Sequence, residues 1–162
     1  NYSLPAEAAN VTADIPRMNW RTHISYKLSQ AITLRARTES VWWDRGGPEA
    51  EQGFMVYGDF FYRPLMKPIA LNFRLQYFET DGYNSRVYAF ENDVLYSFSI
   101  PPLSGKGFRW YVNANYDIGR NITLWFRIAR TFLPEETNIG SGNDLIDKNH
   151  RTDYRFQVRY SF

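Results

Sequence analysis

From Asp153 to Phe162 the chain alternates without exception, with Tyr154, Phe156, Val158, Tyr160 and Phe162 on one parity and Asp153, Arg155, Gln157, Arg159 and Ser161 on the other. A period of two puts successive side chains on opposite faces of a strand, so this segment is a β-strand with one apolar and one charged face. Two settings accept such a strand. In a soluble sandwich the apolar face is core and the charged face meets water; in an outer-membrane barrel the apolar face meets lipid, the polar face lines the lumen, and aromatics mark the rims.

The same alternation recurs upstream. Met18, Trp20, Thr22, Ile24, Tyr26 and Leu28 oppose Asn19, Arg21, His23, Ser25 and Lys27, and after the turn "SQA" Ile32, Leu34, Ala36 and Thr38 oppose Thr33, Arg35, Arg37 and Glu39. A polar loop, "VWWDRGGPEAEQG", precedes a strand that sets Phe54, Val56, Gly58, Phe60 and Tyr62 against Met55, Tyr57, Asp59, Phe61 and Arg63. "RPLMKP" ends it, because proline cannot sit inside a paired strand. Ile69 to Tyr77, Phe108 to Tyr116 and Ile122 to Ile128 repeat the pattern, with "DIGRN" as a turn and a long loop from Leu133 to Arg151 before the last strand. Residues 1–17, with Pro5 and Pro16, read as an extended arm or extracellular loop, and 18–162 as the strand-bearing unit.

Composition narrows the class. Cysteine is absent, which excludes disulfides, thiolate metal sites and cysteine nucleophiles. The 19 basic and 17 acidic residues nearly cancel, so net charge argues for no polyanionic partner. Aromatics reach 18%, a composition suited to strands and to membrane interfaces. No window of roughly 18 apolar residues exists, which rules out a spanning helix but not a barrel, whose strands of about 9 to 11 residues alternate. The first residue is Asn1, with no basic and apolar leader after it, so the reading is a mature product or a piece of a longer chain.

Loop lengths choose between two strand counts. Outer-membrane barrels keep short turns on the periplasmic side and long loops outside. If 79–107 is one long external excursion, every connection fits its side and seven strands span. If 87–99 spans instead, the thirteen-residue "VWWDRGGPEAEQG" falls on the periplasmic side. The first assignment is favoured. An odd strand count cannot close a single-chain bacterial barrel. The expected fold is therefore all-β, an antiparallel transmembrane β-barrel of outer-membrane type, with this chain as the C-terminal seven or eight strands of a larger barrel. A complete eight-stranded barrel is the alternative.

The segments "YNSRVYAFENDVLYSFSIP", "GKG" followed by "R.Y", and "IGSG" resemble the C-terminal barrel region of a Bacteroidota family of outer-membrane proteins that carry helix-hairpin-helix repeats upstream. The resemblance runs from about Trp20 to Phe162. It implies a bacterial outer-membrane address, and it implies that the helix-hairpin-helix portion and the first barrel strands are not in these 162 residues. Helix-hairpin-helix elements are generally associated with non-specific DNA binding, so the resemblance brings in DNA as a partner through that absent portion. The family carries over no catalytic residue.

The polar parity collects Arg21, Lys27, Arg35, Arg37, Arg63, Arg74, Arg109, Arg127, Arg155 and Arg159 against Glu39, Asp59 and Asp153. Guanidinium groups pair with phosphate bidentately, so this face could conduct or dock an anion, nucleic acid included. The plainer reading is a lumen network whose carboxylates sit on missing strands or on a plug, since a desolvated Arg needs a partner. Trp20, Leu34, Phe73, Trp110, Phe126, Phe156, Tyr160 and Phe162 are the expected lipid-facing set. His23 with Ser25 lacks an acid partner and an oxyanion donor, so no catalytic site is assigned. Glu135, Glu136, Asn143, Asp144 and Asp147 offer oxygens to a hard cation in a spacing that matches no calcium loop, so no metal and no cofactor are assigned. The expected role is non-enzymatic: an anchor, pore or subunit of a cell-envelope complex, in contact with outer-membrane lipid and with another chain or the missing strands. A soluble all-β binding module with an Arg-rich ligand face and an outer-membrane barrel hydrolase are the alternatives.

Overall fold

The computed structural model describes residues 15–140 and 142–162, so most of the arm expected at 1–17 lies outside the described residues. The described chain is all-β, apart from one 3₁₀ turn at Gly142–Asp144. Seven long strands form one antiparallel sheet: β1 (Arg17–Lys27), β2 (Ile32–Trp43), β3 (Glu51–Tyr62), β4 (Ile69–Thr80), β7 (Lys106–Ile118), β8 (Ile122–Phe132) and β9 (His150–Tyr160), in that spatial order. Two short strands, β5 (Val87–Tyr88) and β6 (Pro102–Leu103), pair with each other inside the connection 81–105. The alternative spanning strand at 87–99 is therefore not formed. β1 and β9 are not paired with each other, so the sheet is open, with each outer edge lacking a strand partner among the described residues.

Each long strand exceeds its expected length at the end where the long connections lie. β2 continues through Trp43 and β3 begins at Glu51, which shrinks the expected polar loop to 44–50. β4 reaches Thr80, β7 starts at Lys106 and β8 reaches Phe132. The alternation fades there for a physical reason. Val41, Met55 and Phe78, on the otherwise polar parity, bury themselves with Tyr57 against Val87, Ala89 and Leu103 of the connection, with Leu133 packed alongside. The polar face turns apolar at this end, so the period-2 contrast that marks a strand disappears.

Connection 81–105, which we call the strap, folds back over the polar face of the sheet. Its first turn is tied down by the Glu51 carboxylate, which accepts from the Ser85 amide at 2.8 Å and the Asn84 side chain at 3.0 Å. Asp81 Oδ2 accepts from the Gln52 amide at 2.8 Å. Gly53 has no side chain because the strap passes over it: a Cβ there would stand 2.1 Å from the Ser85 carbonyl oxygen.

The burial pattern is the reverse of a soluble sandwich. Leu75 is 53%, Phe126 43% and Phe156 67% exposed, whereas Arg74 is 4%, Arg109 5% and Arg127 1% exposed on the opposite face.

Replacing Gly53 with Val should push the strap off β3 while leaving the sheet paired. Limited proteolysis is the check: new cleavage sites are expected within 81–105 and none within β7 to β9. Unchanged protection of the strap would contradict the close approach.

Candidate functional site

The register brings the basic residues onto one face and then divides them. Arg21 stands opposite Glu39, Arg74 opposite Asp59, and Arg127 between Asn113 and Arg155 across β7 to β9. Glu39, 3% exposed, accepts from Arg21 at 3.1 and 3.2 Å and from Arg37. Asp59 takes both ends of the Arg74 fork, at 2.6 and 2.8 Å. Such two-point pairing is the strong geometry for a guanidinium and a carboxylate. The Arg74 guanidinium also lies 3.7 Å above the centre of the Tyr57 ring and 5.4 Å from that of Tyr111. Carboxylate and rings together replace the water that the charge has lost.

The remaining carboxylates come from the strap. Glu91 is wholly buried; its two oxygens accept from Arg109 Nε and Nη2 at 2.6 and 2.9 Å and from Arg127 Nη2. Asp93, with its side chain also fully covered, accepts from Arg155 and lies 3.9 Å from Arg127 Nε. The backbone between them is used as well. Arg74 Nη1 donates to the Phe90 carbonyl at 2.7 Å, Arg127 Nε to that of Asn92 at 3.0 Å, and Asn113 Nδ2 to that of Asp93 at 2.8 Å. Asn92 donates its side-chain amide to Asn72 Oδ1 at 2.8 Å. Four residues, Phe90 to Asp93, thus bind β4, β7, β8 and β9 at once.

Six of the ten expected basic residues, Arg21, Arg37, Arg74, Arg109, Arg127 and Arg155, pair with carboxylates. Lys27, Arg35, Arg63 and Arg159 have no carboxylate partner among the described residues. They lie toward the end of the sheet that carries the short turns 28–31, 63–68 and 119–121. Asp153 pairs instead with its strand neighbour Arg151 at 3.2 Å.

Of the expected apolar set, Trp20, Leu34, Phe73, Phe126, Phe156, Tyr160 and Phe162 are exposed and Trp110 is half-buried. His23 is exposed on β1 opposite Arg37, with no acid in line. His150 Nδ1 lies 3.3 Å from Asn149 Oδ1. Among the described residues, no three His, Asp or Glu side chains converge as a metal site, the acidic loop at 135–147 included.

Sequence reading missed Glu91 and Asp93 as site residues. The surplus of cations on the polar parity did signal that carboxylates had to arrive from elsewhere. Their source was hidden because the strap, although Ser85, Val87, Ala89 and Glu91 alternate in burial with their neighbours, pairs with no strand of the main sheet, so nothing local says which side chains they meet. The chain matches no family model, no curated protein and no solved structure.

Replacing Glu91 with Gln strands two buried guanidinium groups and should cost about 3 to 5 kcal/mol of stability. Urea unfolding of the refolded protein measures it. Combining Glu91→Gln with Arg127→Met should recover part of the loss, because one unpaired charge is then removed; a strictly additive double mutant would refute the pairing.

Proposed function

We propose that this chain is part of the wall of an outer-membrane β-barrel, that the strap is its internal plug, and that the protein is a non-enzymatic anchor or closed pore of a bacterial cell-envelope assembly. The observation that carries this reading is the inverted burial. A seven-stranded sheet exposes Leu75, Phe126, Phe156, Val158 and Tyr160 while its own loop covers Arg74, Arg109 and Arg127 on the other side. Soluble monomers rarely leave so continuous an apolar surface uncovered. A bilayer supplies the missing contact.

The open edges fit the same reading. In lipid, an unpaired edge leaves backbone N–H and C=O groups unsatisfied at several kcal/mol each, so β1 and β9 need strands from another part of the protein or another chain. The connections also sort by length, with 28–31, 63–68 and 119–121 at one end and 44–50, 81–105 and 133–149 at the other. That is the asymmetry of periplasmic turns and outer loops. No helix among the described residues is long and apolar enough to cross a membrane, which says nothing about strands. The resemblance to the Bacteroidota family supports the address. One of its most specific stretches, "YNSRVYAFENDVLYSFSIP", lies within the strap and contains Glu91 and Asp93. A DNA-contacting role would rest on the helix-hairpin-helix portion outside this chain. The polar face supports it less, because its buried arginines are neutralised from within.

Two measurements test the proposal. The protein should leave the membrane fraction only with detergent, and a monodisperse monomer in plain buffer would overturn the reading. Phe126→Arg, on the exposed apolar face, should cost about 2 to 4 kcal/mol if that position lies near the bilayer midplane. Folding into lipid vesicles, followed by heat-modifiable gel mobility, reads it; a silent Phe126→Arg would reverse the facing.

A further inference from the structure

Between the strap and the short-turn end, the polar face holds a chamber of about 480 Å³, within the usual range for small-molecule sites. Its charge balance differs from that of the anchored half. Arg35 and Arg63 line it, and neither has a carboxylate partner among the described residues. Arg35 stands directly opposite Asp59 in the register, but both Asp59 oxygens are taken by Arg74. Its guanidinium instead lies 4.6 Å above the centre of the Phe61 ring. Across the chamber, Trp125 carries the Arg159 guanidinium at 5.5 Å from its ring centre. Stacking orients a guanidinium without consuming its N–H donors, so these groups keep their full capacity for an oxyanion. Asp93, also in the lining, does not neutralise them, because it is held by Arg155.

Beside Phe61, Tyr62 and Leu71, the wall carries four side-chain amides. Asn72, Asn92, Asn113 and Asn115 face the chamber, and Asn113 Oδ1 is buried with no hydrogen-bond partner. Side-chain amides both donate to and accept from hydroxyl groups, so a solute that carries several hydroxyls beside its anion gains contacts on these asparagines that a small inorganic anion does not. Asn92 and Asp93 of the strap close one side.

We propose that this chamber is a binding site for a small hydroxylated oxyanion of the sugar-phosphate class, with the phosphate on Arg35 and Arg63 and the hydroxyls on the asparagine wall. The site is built from this chain alone and does not rest on the membrane reading.

The test uses the complete protein, in detergent if it requires it, with fluorine-labelled tryptophan and the Trp125 resonance assigned through Trp125→Phe. Glucose 6-phosphate should shift that resonance saturably, inorganic phosphate should bind at least about tenfold more weakly, and glucose should not bind. Arg35→Gln should weaken glucose 6-phosphate about tenfold or more, the worth of one charge-assisted pair. Lys148→Gln, on the distant loop 133–149, should leave affinity unchanged. Equal affinity for inorganic phosphate, binding of glucose alone, no shift with any probe, or indifference to Arg35→Gln in a protein that still shows folded gel mobility would each overturn the proposal. Solubility without detergent would overturn the barrel reading and leave this test intact.

Discussion

The Glu91 carboxylate sits between the guanidinium groups of Arg109 and Arg127, with all three side chains almost fully removed from solvent. Charges buried this deeply persist only when paired and hydrogen-bonded, so the polar face of β7 and β8 could not close without an anion delivered to that spot. The strap delivers it. Asp93 does the same for Arg155, and the carbonyls of Phe90 and Asn92 each take one further donor, from Arg74 and Arg127. The strap therefore acts as a counter-charge as well as a cover. Its path follows from where the arginines are.

A second attachment sets its direction. Val87, Ala89 and Leu103 pack on Val41, Met55, Tyr57 and Phe78, so the two ends of the strap meet at an apolar pad while its middle reaches the charges. Hydrophobic burial is non-directional and charge pairing is geometric. The pad holds the strap against the sheet, and the Glu91 to Asp93 segment sets its register. Past Asp93 the covering stops, and Arg35 and Arg63 face a chamber with their donors unspent.

The outward face poses the complementary problem. Phe73, Leu75, Phe126, Phe156 and Tyr160 share one face of the sheet, on β4, β8 and β9, and are exposed. In a self-contained soluble fold, such a face would have turned inward and the arginines outward. Here the charged face is the one the chain chooses to cover. The barrel proposal supplies an apolar solvent for the other face.

Strand identity and facing were legible in the residues themselves. Period-two alternation is local, so Tyr154 through Phe162 and Phe54 through Arg63 declare their two faces without any knowledge of neighbours, and proline and glycine mark the turns. The antiparallel order followed as well, because connections as short as 28–31 and 119–121 can only join adjacent strands. Strand ends were less legible, since Val41 and Phe78 change the composition of the polar parity where the apolar pad forms. Loop lengths favoured an excursion at 79–107 over a spanning strand, but its path over the polar face could not be read. Its anchors join residues such as Glu91 and Arg127, or Asp93 and Arg155, that lie far apart in sequence and meet only once the sheet has formed. A surplus of arginine on one parity can state that carboxylates are required. Only the tertiary structure decides which ones arrive, because pairing depends on distance in space and alternation depends on distance along the chain.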